Sequence, residues 1–228
     1  MIMGFVMVIK RSIQRFLLRR GMVLTVVLKY LTRLRGIDLS AYAGDYVRNA
    51  SLELVAHEIN IRRIAGSVAE LGVYRGDFAG IINQVFPDRK LYLFDTFQGF
   101  DEQDVRMEKK QAYSSGDQDF TKTSVDLVLS KMKYPGNCMV KQGYFPDTAR
   151  DVHDAFVFVS IDADLYKPIY DGLSFFYPRL AAGGCLFVHD YNNDEYQGAR
   201  EAVRQFCQEN HVSFFPLPDA CGTAVICK

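Results

Sequence analysis

Seven short apolar runs punctuate residues 67–227, most of them spaced far enough apart to hold a helix between neighbours, but the last two stand too close together for one. The runs are Ser67–Val73, Leu91–Asp95, Met139–Gln142, Phe156–Asp162, Cys185–His189, Ser213–Leu217 and Ala224–Cys227; helical patterns fall at Asp77–Val85, Val125–Lys131, Ile169–Leu180 and Gly198–Glu209. Apolar strands separated by helices have both faces covered, which implies a parallel sheet between helical layers. A parallel crossover needs about a dozen residues or more. Pro218–Thr223 is shorter than that, so the final two strands must form an antiparallel hairpin. The expectation is an α/β fold, a seven-stranded and mostly parallel sheet ending in that hairpin. A further helix is expected to start near Asn49 or Ser51, either of which can cap the exposed amides of Leu52–Val55. The polar stretch Asp101–Thr121 reads as a loop long enough to be a lid or substrate-facing element.

Charge is unevenly distributed. The chain has 27 basic and 27 acidic residues, yet residues 1–36 hold Lys10, Arg11, Arg15, Arg19, Arg20, Lys29, Arg33 and Arg35 with no acid before Asp38, leaving 19 basic against 27 acidic residues in the remainder. An acidic body argues against a nucleic-acid partner, because phosphate binding needs a clustered basic face. Ile13, Leu17, Leu24, Leu28 and Leu31 fall near helical spacing while Arg11, Arg15 and Arg19 line another side, and Gly21 breaks the pattern, giving an amphipathic basic helix pair. The favoured reading packs these helices on the rest of the chain or on a second subunit; the alternative is peripheral contact of residues 1–36 with an anionic membrane surface. The apolar stretches Met1–Ile9 and Gly21–Leu28 are shorter than the roughly 18 residues a bilayer span requires, and neither has the layout of a signal peptide. Cys138, Cys185, Cys207, Cys221 and Cys227 lack CxxC spacing and sit mostly in apolar stretches. They are expected to be reduced core residues of a cytoplasmic protein, with no structural zinc site.

Chemistry-bearing residues cluster at the ends of the strand runs. Gly72 and Gly76 follow the first strand and open a helix, where backbone can approach a ligand and a helix N-terminus faces it. Glu70 precedes them, and Asp95 ends the second strand 19 residues past Gly76, where a carboxylate can accept hydrogen bonds from ribose hydroxyls. Together these point to a nucleoside-containing cofactor at the carboxyl edge of the sheet. Asp162 ends the fourth strand and Asp190 follows the fifth, with Asp164 two residues beyond Asp162. Carboxylates so crowded repel one another unless a cation or a shared proton compensates. A hard divalent ion held by their oxygens is one solution, and it could bind adjacent substrate hydroxyls and lower the pKa of one. His189 is open to three readings: a ligand that shifts preference from magnesium toward manganese or another transition metal, a general base without any ion, or a satisfied structural histidine.

The segments Ala69–Gly76, Phe94–Gly99, Gly143–Thr148, Ile161–Tyr166 and His189–Tyr191, in this order, resemble the macrocin O-methyltransferase (TylF/MycF) family over about residues 40–228. That resemblance implies a Rossmann-like class I methyltransferase fold, S-adenosylmethionine as methyl donor, a magnesium-dependent site and a small-molecule glycosyl or polyol acceptor, in a protein that forms homo-oligomers. By position, Glu70, Gly72 and Gly76 would cradle the donor, Asp95 would bind its ribose, and Asp162 and Asp190 would be metal ligands. Where the family usually has two successive aspartates this chain has His189–Asp190, so His189 becomes a ligand or proton acceptor and Asp164 the other candidate base. Residues 1–60 would form an N-terminal helical extension and residues 61–228 the methyltransferase domain; Tyr42, Tyr46 and Arg48 resemble the family's approach to the substrate pocket. The competing readings are a nucleotide-cofactor oxidoreductase or epimerase, disfavoured by the missing GxGxxG spacing, and a catalytically inactive membrane-surface binding protein.

Overall fold

The structure, a computed structural model, describes residues 45–228. The basic segment 1–36 and Tyr42 lie outside the described residues, and with them the expectations of an amphipathic helix pair and of membrane contact. No helix among the described residues is long and apolar enough to cross a membrane.

Strands β1 (Ser67–Leu71), β2 (Leu91–Asp95), β3 (Cys138–Gln142), β4 (Phe156–Ile161), β5 (Leu180–Val188), β6 (Phe215–Pro216) and β7 (Ala224–Cys227) form one seven-stranded sheet in the order β3-β2-β1-β4-β5-β7-β6. The pairs from β3 through β5 are parallel, and β7 runs antiparallel to both β5 and β6. This is the sheet that the short Pro218–Thr223 connector required.

Helices α1 (Tyr46–Ile61), α2 (Asp77–Val85), α3 (Glu102–Gln111), α4 (Val125–Ser130), α5 (Tyr166–Arg179) and α6 (Gln197–Asn210) complete the described chain. Alternation along each strand feeds two separate cores. Val68, Leu91, Leu93, Phe158 and Phe187 pack with Leu52, Ala56 and Ile59 of α1, Ile82 and Val85 of α2 and Val128 of α4. Their neighbours Ala69, Leu71, Phe94, Ile161, Leu186 and Val188 face the other way, against Ile169, Leu173 and Phe176 of α5 and Ala202, Val203 and Phe206 of α6. Burying each such side chain contributes about 1.5–3 kcal/mol, and the rings of Phe94, Phe145, Phe156 and Phe176 add edge and stacked contacts at centroid distances of 5.1–5.8 Å.

Three expectations are corrected. The helix before β1 starts at Tyr46 and is capped by Asp45, which accepts from the Arg48 amide at 3.1 Å, so Asn49 and Ser51 lie inside it. Within Asp101–Thr121, residues Glu102–Gln111 are helical: Asp101 caps the start by accepting from Gln103, Glu102 and Asp104 occupy the first turn, and Lys109 and Lys110 the last, which suits the helix dipole. The polar composition hid it, since without an apolar stripe the periodicity signal is weak. Finally, Cys185 and Cys227 are joined by a disulfide. They face each other in the β5–β7 register with Cα atoms 4.2 Å apart, a proximity that their 42-residue separation in sequence concealed. Cys138, Cys207 and Cys221 are free.

Register sets the height of the strand tips. Leu71 is level with both Phe94 and Ile161, and Ile161 with Val188, so the next residues, Gly72, Asp95, Asp162 and His189, emerge side by side. Gly72 makes this closeness possible: it has a φ of +82°, and a Cβ there would lie 2.0 Å from the carbonyl oxygen of Asp162. Gly72→Ala is therefore expected to cost at least about 3 kcal/mol of stability, since the obstacle is backbone and cannot rotate away. Urea unfolding of the two proteins measures this, and unchanged midpoints would show that the strand tips can part.

Candidate active site at the carboxyl edge of the sheet

The strand tips open into a cleft of about 520 Å³ whose walls include Glu70, Gly72, Asp95, Asp162, Asp164, His189 and Asp190. That size suits a ligand of nucleoside scale or larger. All the expected site residues except Gly76 line it; Gly76, at φ +77°, turns the chain into α2, and a Cβ there would press on Val128 at 3.0 Å.

Each carboxylate has its own surroundings. Asp95 holds the turn after β1, its Oδ2 accepting from the amides of Val73 at 2.7 Å and Tyr74 at 2.8 Å, and its Oδ1 from Phe97 at 2.6 Å. Glu70 is 1% exposed, and its buried Oε2 has no hydrogen-bond partner among the described residues. Burial pushes its pKa well above the usual carboxylate range, although Arg48 pulls the other way. Asp162 is the opposite case: burial would raise it, but Arg48 and His189 outweigh burial and hold it well below the usual range. Asp164 is driven strongly upward by burial and by the neighbouring Asp190 and Asp162 charges.

His189 Nδ1 lies 3.1 Å from Asp162 Oδ1 and 3.0 Å from Asp190 Oδ2, and Asp190 Oδ1 accepts from Asn193 at 2.9 Å. Burial opposes a charged ring here, but Asp162 wins, and His189 is pushed up to about 10. At neutral pH His189 therefore carries a proton and Asp162 is ionised, while Asp164 is shifted toward its neutral form. Asp162, His189 and Asp190 each offer one ligand atom within 4.8 Å of the others, as do Asp45, His189 and Asp219. Positive φ values at Tyr74 (47°), Asp164 (57°) and Asp190 (59°) place three side-chain-bearing residues of the cleft in the left-handed region. Such conformations are uncommon for residues with a side chain, although Arg63, Phe97, Ala112 and His211 adopt them outside the cleft.

Several residues of the cleft escaped sequence reasoning. Arg48 stood out in the sequence without an assigned contact; the structure sends it from α1 into the cleft, where Nη1 donates to Asp162 Oδ2 at 2.8 Å and Nη2 to Ser160 Oγ at 2.9 Å. Asp104 and Glu108, four apart on α3, are both buried. Asp104 accepts from the Tyr144 hydroxyl at 2.9 Å, and Glu108 accepts from the Tyr166 amide at 2.6 Å and from Ser114 at 2.8 Å. The spacing of two acids on one helical face was the available signal, lost once the segment was read as a loop. Cys221 also lines the cleft; burial and then Asp190 push its thiol up to about 11.

Comparison with known proteins supplies a family and a fold. The family model for macrocin-O-methyltransferase (TylF) matches residues 33–226. The chain is 27% identical over 164 residues to mycinamicin III 3''-O-methyltransferase of Micromonospora griseorubida, covering 66% of this chain and 63% of that protein. It is 23% identical over 146 residues to demethyldecarbamoylnovobiocin O-methyltransferase of Streptomyces niveus, covering 56% of this chain and 53% of that one. The match thus spans less than two thirds of either relative's own length. Among solved structures, the O-methyltransferase NovP superposes with a TM-score of 0.68 at 19% identity, over 79% of both chains. CalS11, a calicheamicin methyltransferase, gives 0.65 at 18% identity over 87% of this chain and 90% of that one. The sheet order and terminal hairpin are those of the class I methyltransferase fold.

Asp104 generates a pH prediction. Burial raises its pKa to about 6, only partly offset by the Tyr144 hydrogen bond. Because the folded value exceeds the unfolded one, near 4, the neutral acid contributes stability that is fully present below about pH 4 and lost as pH rises through about 6. Asp104→Asn removes that penalty and should be about 2 kcal/mol more stable than the parent at pH 8, with the gap closing toward pH 4. Denaturant melts at the two pH values decide it; a gap that widens toward low pH would show the opposite shift.

Proposed function

Because the chain belongs to the macrocin-O-methyltransferase (TylF) family over residues 33–226, we propose that it transfers the methyl group of S-adenosylmethionine to a hydroxyl of a sugar or polyol, in the modification of a glycan or natural product. The observation that carries this reading is the set of strand-tip carboxylates facing one cleft, with the buried Glu70 Oε2 lacking a hydrogen-bond partner among the described residues. An orphaned acceptor of this kind fits an ammonium donor, and the donor's amino acid portion offers one. Glu70 would bind that ammonium, Gly72 would let backbone approach the donor, Gly76 would set the helix behind it, and Asp95, whose Oδ1 accepts a single amide, retains acceptor capacity for a ribose hydroxyl.

The donor set of Asp162, His189 and Asp190 also fits a divalent cation, and the imidazole nitrogen favours manganese or another transition metal over magnesium. When bound, such an ion would polarise the acceptor hydroxyl and lower its pKa. His189 and Asp164 are the groups we assign to proton handling. His189 is pushed up to about 10 and Asp164 is shifted upward, so positive charge entering the cleft would lower both and ready them to accept a proton. Asp162 and Asp190 orient His189 through Nδ1, which leaves Nε2 as the atom to exchange a proton with the acceptor. Rate enhancement would rest on holding the two reactants in line and on balancing charge that develops on the acceptor oxygen.

Titration calorimetry with S-adenosylhomocysteine, followed by transfer of labelled methyl to a panel of nucleotide sugars and deoxysugar glycosides, tests this. Binding by the parent is expected, weakened at least about tenfold in Glu70→Gln and in Asp95→Ala; a parent that binds none at millimolar concentration would end the assignment. Chelator should suppress transfer and Mn²⁺ should restore it, whereas full activity in chelator would remove the cation.

A further inference from the structure

We propose that Arg48 is an internal counter-ion of Asp162 that competes with a divalent cation for this carboxylate, acting through Asp162 as a positioning residue and setting how tightly the cleft holds the ion. The inference rests on the reading above that Asp162, His189 and Asp190 form a cation site.

The geometry is that of a built-in competitor. Arg48 is 6% exposed and lies flat over the Phe78 ring, its guanidinium carbon 3.8 Å from the centroid. From there its two terminal nitrogens donate to Asp162 and Ser160, while its buried Nε has no partner among the described residues. Asp162 is thereby flanked on both oxygens, by Arg48 on Oδ2 and by His189 on Oδ1. A guanidinium does not deprotonate in a protein, and the neighbouring Asp162 and Glu70 charges more than offset its burial. A divalent ion at Asp162 must therefore either coexist with a fixed positive charge a few ångströms away or drive Arg48 off the carboxylate.

Arg48 also explains how the cleft tolerates its acids. Glu70, Asp162, Asp164 and Asp190 converge there, and the compensating charge comes from Arg48, on a helix that precedes the sheet in sequence, together with His189 just beyond β5. Asp45, which caps that helix, also stands with Asp219 near His189. Loss of the Arg48 contact would free the first turn of α1 from Asp162.

Mn²⁺ affinity, measured on the full chain from the paramagnetic resonance of the free ion, tests the proposal. Arg48→Gln should bind Mn²⁺ at least about tenfold more tightly than the parent, Ser160→Ala should shift in the same direction by a smaller factor, and Arg48→Lys, which keeps the charge, should stay near the parent. Adding Asp162→Asn to Arg48→Gln should abolish the gain. A merely structural arginine predicts the reverse, since a damaged site binds less. The proposal is overturned if Arg48→Gln binds Mn²⁺ equally or more weakly, absence of binding by every variant included; should Arg48→Gln not fold, Ser160→Ala decides by the same sign. Calorimetry with S-adenosylhomocysteine on the same samples separates the two ideas. A parent that does not bind it undermines the functional reading, whereas binding without a Mn²⁺ gain removes the counter-ion alone.

Discussion

Carboxylates can share a cleft only if positive charge is gathered with them, and here the sheet's register does the gathering of the first kind while Arg48 and His189 supply the second. Parallel pairing aligns Leu71, Phe94, Ile161 and Val188 at one level, so the residues that follow emerge at a common height. A one-residue slip would turn each side chain to the other face and bury it in one of the two cores. The acids therefore cannot evade one another by local adjustment. They are pushed apart instead: Arg48 and His189 hold Asp162 below the usual carboxylate range, whereas burial pushes Glu70 and Asp164 above it. Different pKa values arise among chemically equivalent groups from position alone.

That division depends on backbone placed against its preference. Gly72 fits between neighbouring strand tips only because it lacks a side chain, and its amide donates to Phe94 while the Asp162 amide donates to Leu71. Tyr74, Asp164 and Asp190 adopt left-handed conformations without being glycine. Two of them are held by their surroundings: Tyr74 by the Asp95 hydrogen bond, Asp190 by Asn193 and His189. Asp95 accordingly has a structural duty alongside any ligand role, because three amides of two turns converge on it.

Much of this was legible in the sequence, for a definite reason. Strands buried on both faces are written as uninterrupted apolar runs, so Ser67–Leu71, Leu91–Asp95, Phe156–Ile161 and Ala224–Cys227 could be found within a residue or two, and the acids that end or follow the runs were conspicuous against them. What the sequence withheld were relations between distant segments. Arg48 meets Asp162 across 114 positions, and Cys185 meets Cys227 across 42, neither with any local mark. Helix α3 was withheld differently: its residues are almost all polar, so it lacks the apolar stripe that periodicity detects.

How α3 is held bears on what that segment can do. Its inward residues are two carboxylates. Glu108 sits at the N-terminus of α5, where it accepts from the Tyr166 amide that Leu165 leaves uncapped, and it lies so close to Gly198 that a Cβ there would be 2.5 Å from Oε1. The helix dipole favours a negative charge at that point. Asp104, one turn earlier, meets only a tyrosine hydroxyl and rises to about 6. Burial raises both carboxylates, but Glu108 is held by two donors, the Tyr166 amide and Ser114, whereas Asp104 beside the cleft is held by the Tyr144 hydroxyl. A helix docked through apolar surface would expose that surface on opening, whereas ionised Asp104 gains hydration when it leaves. The end nearer the cleft is thus the end with less to lose by lifting, which suits an element flanking a site that ligands must enter and leave.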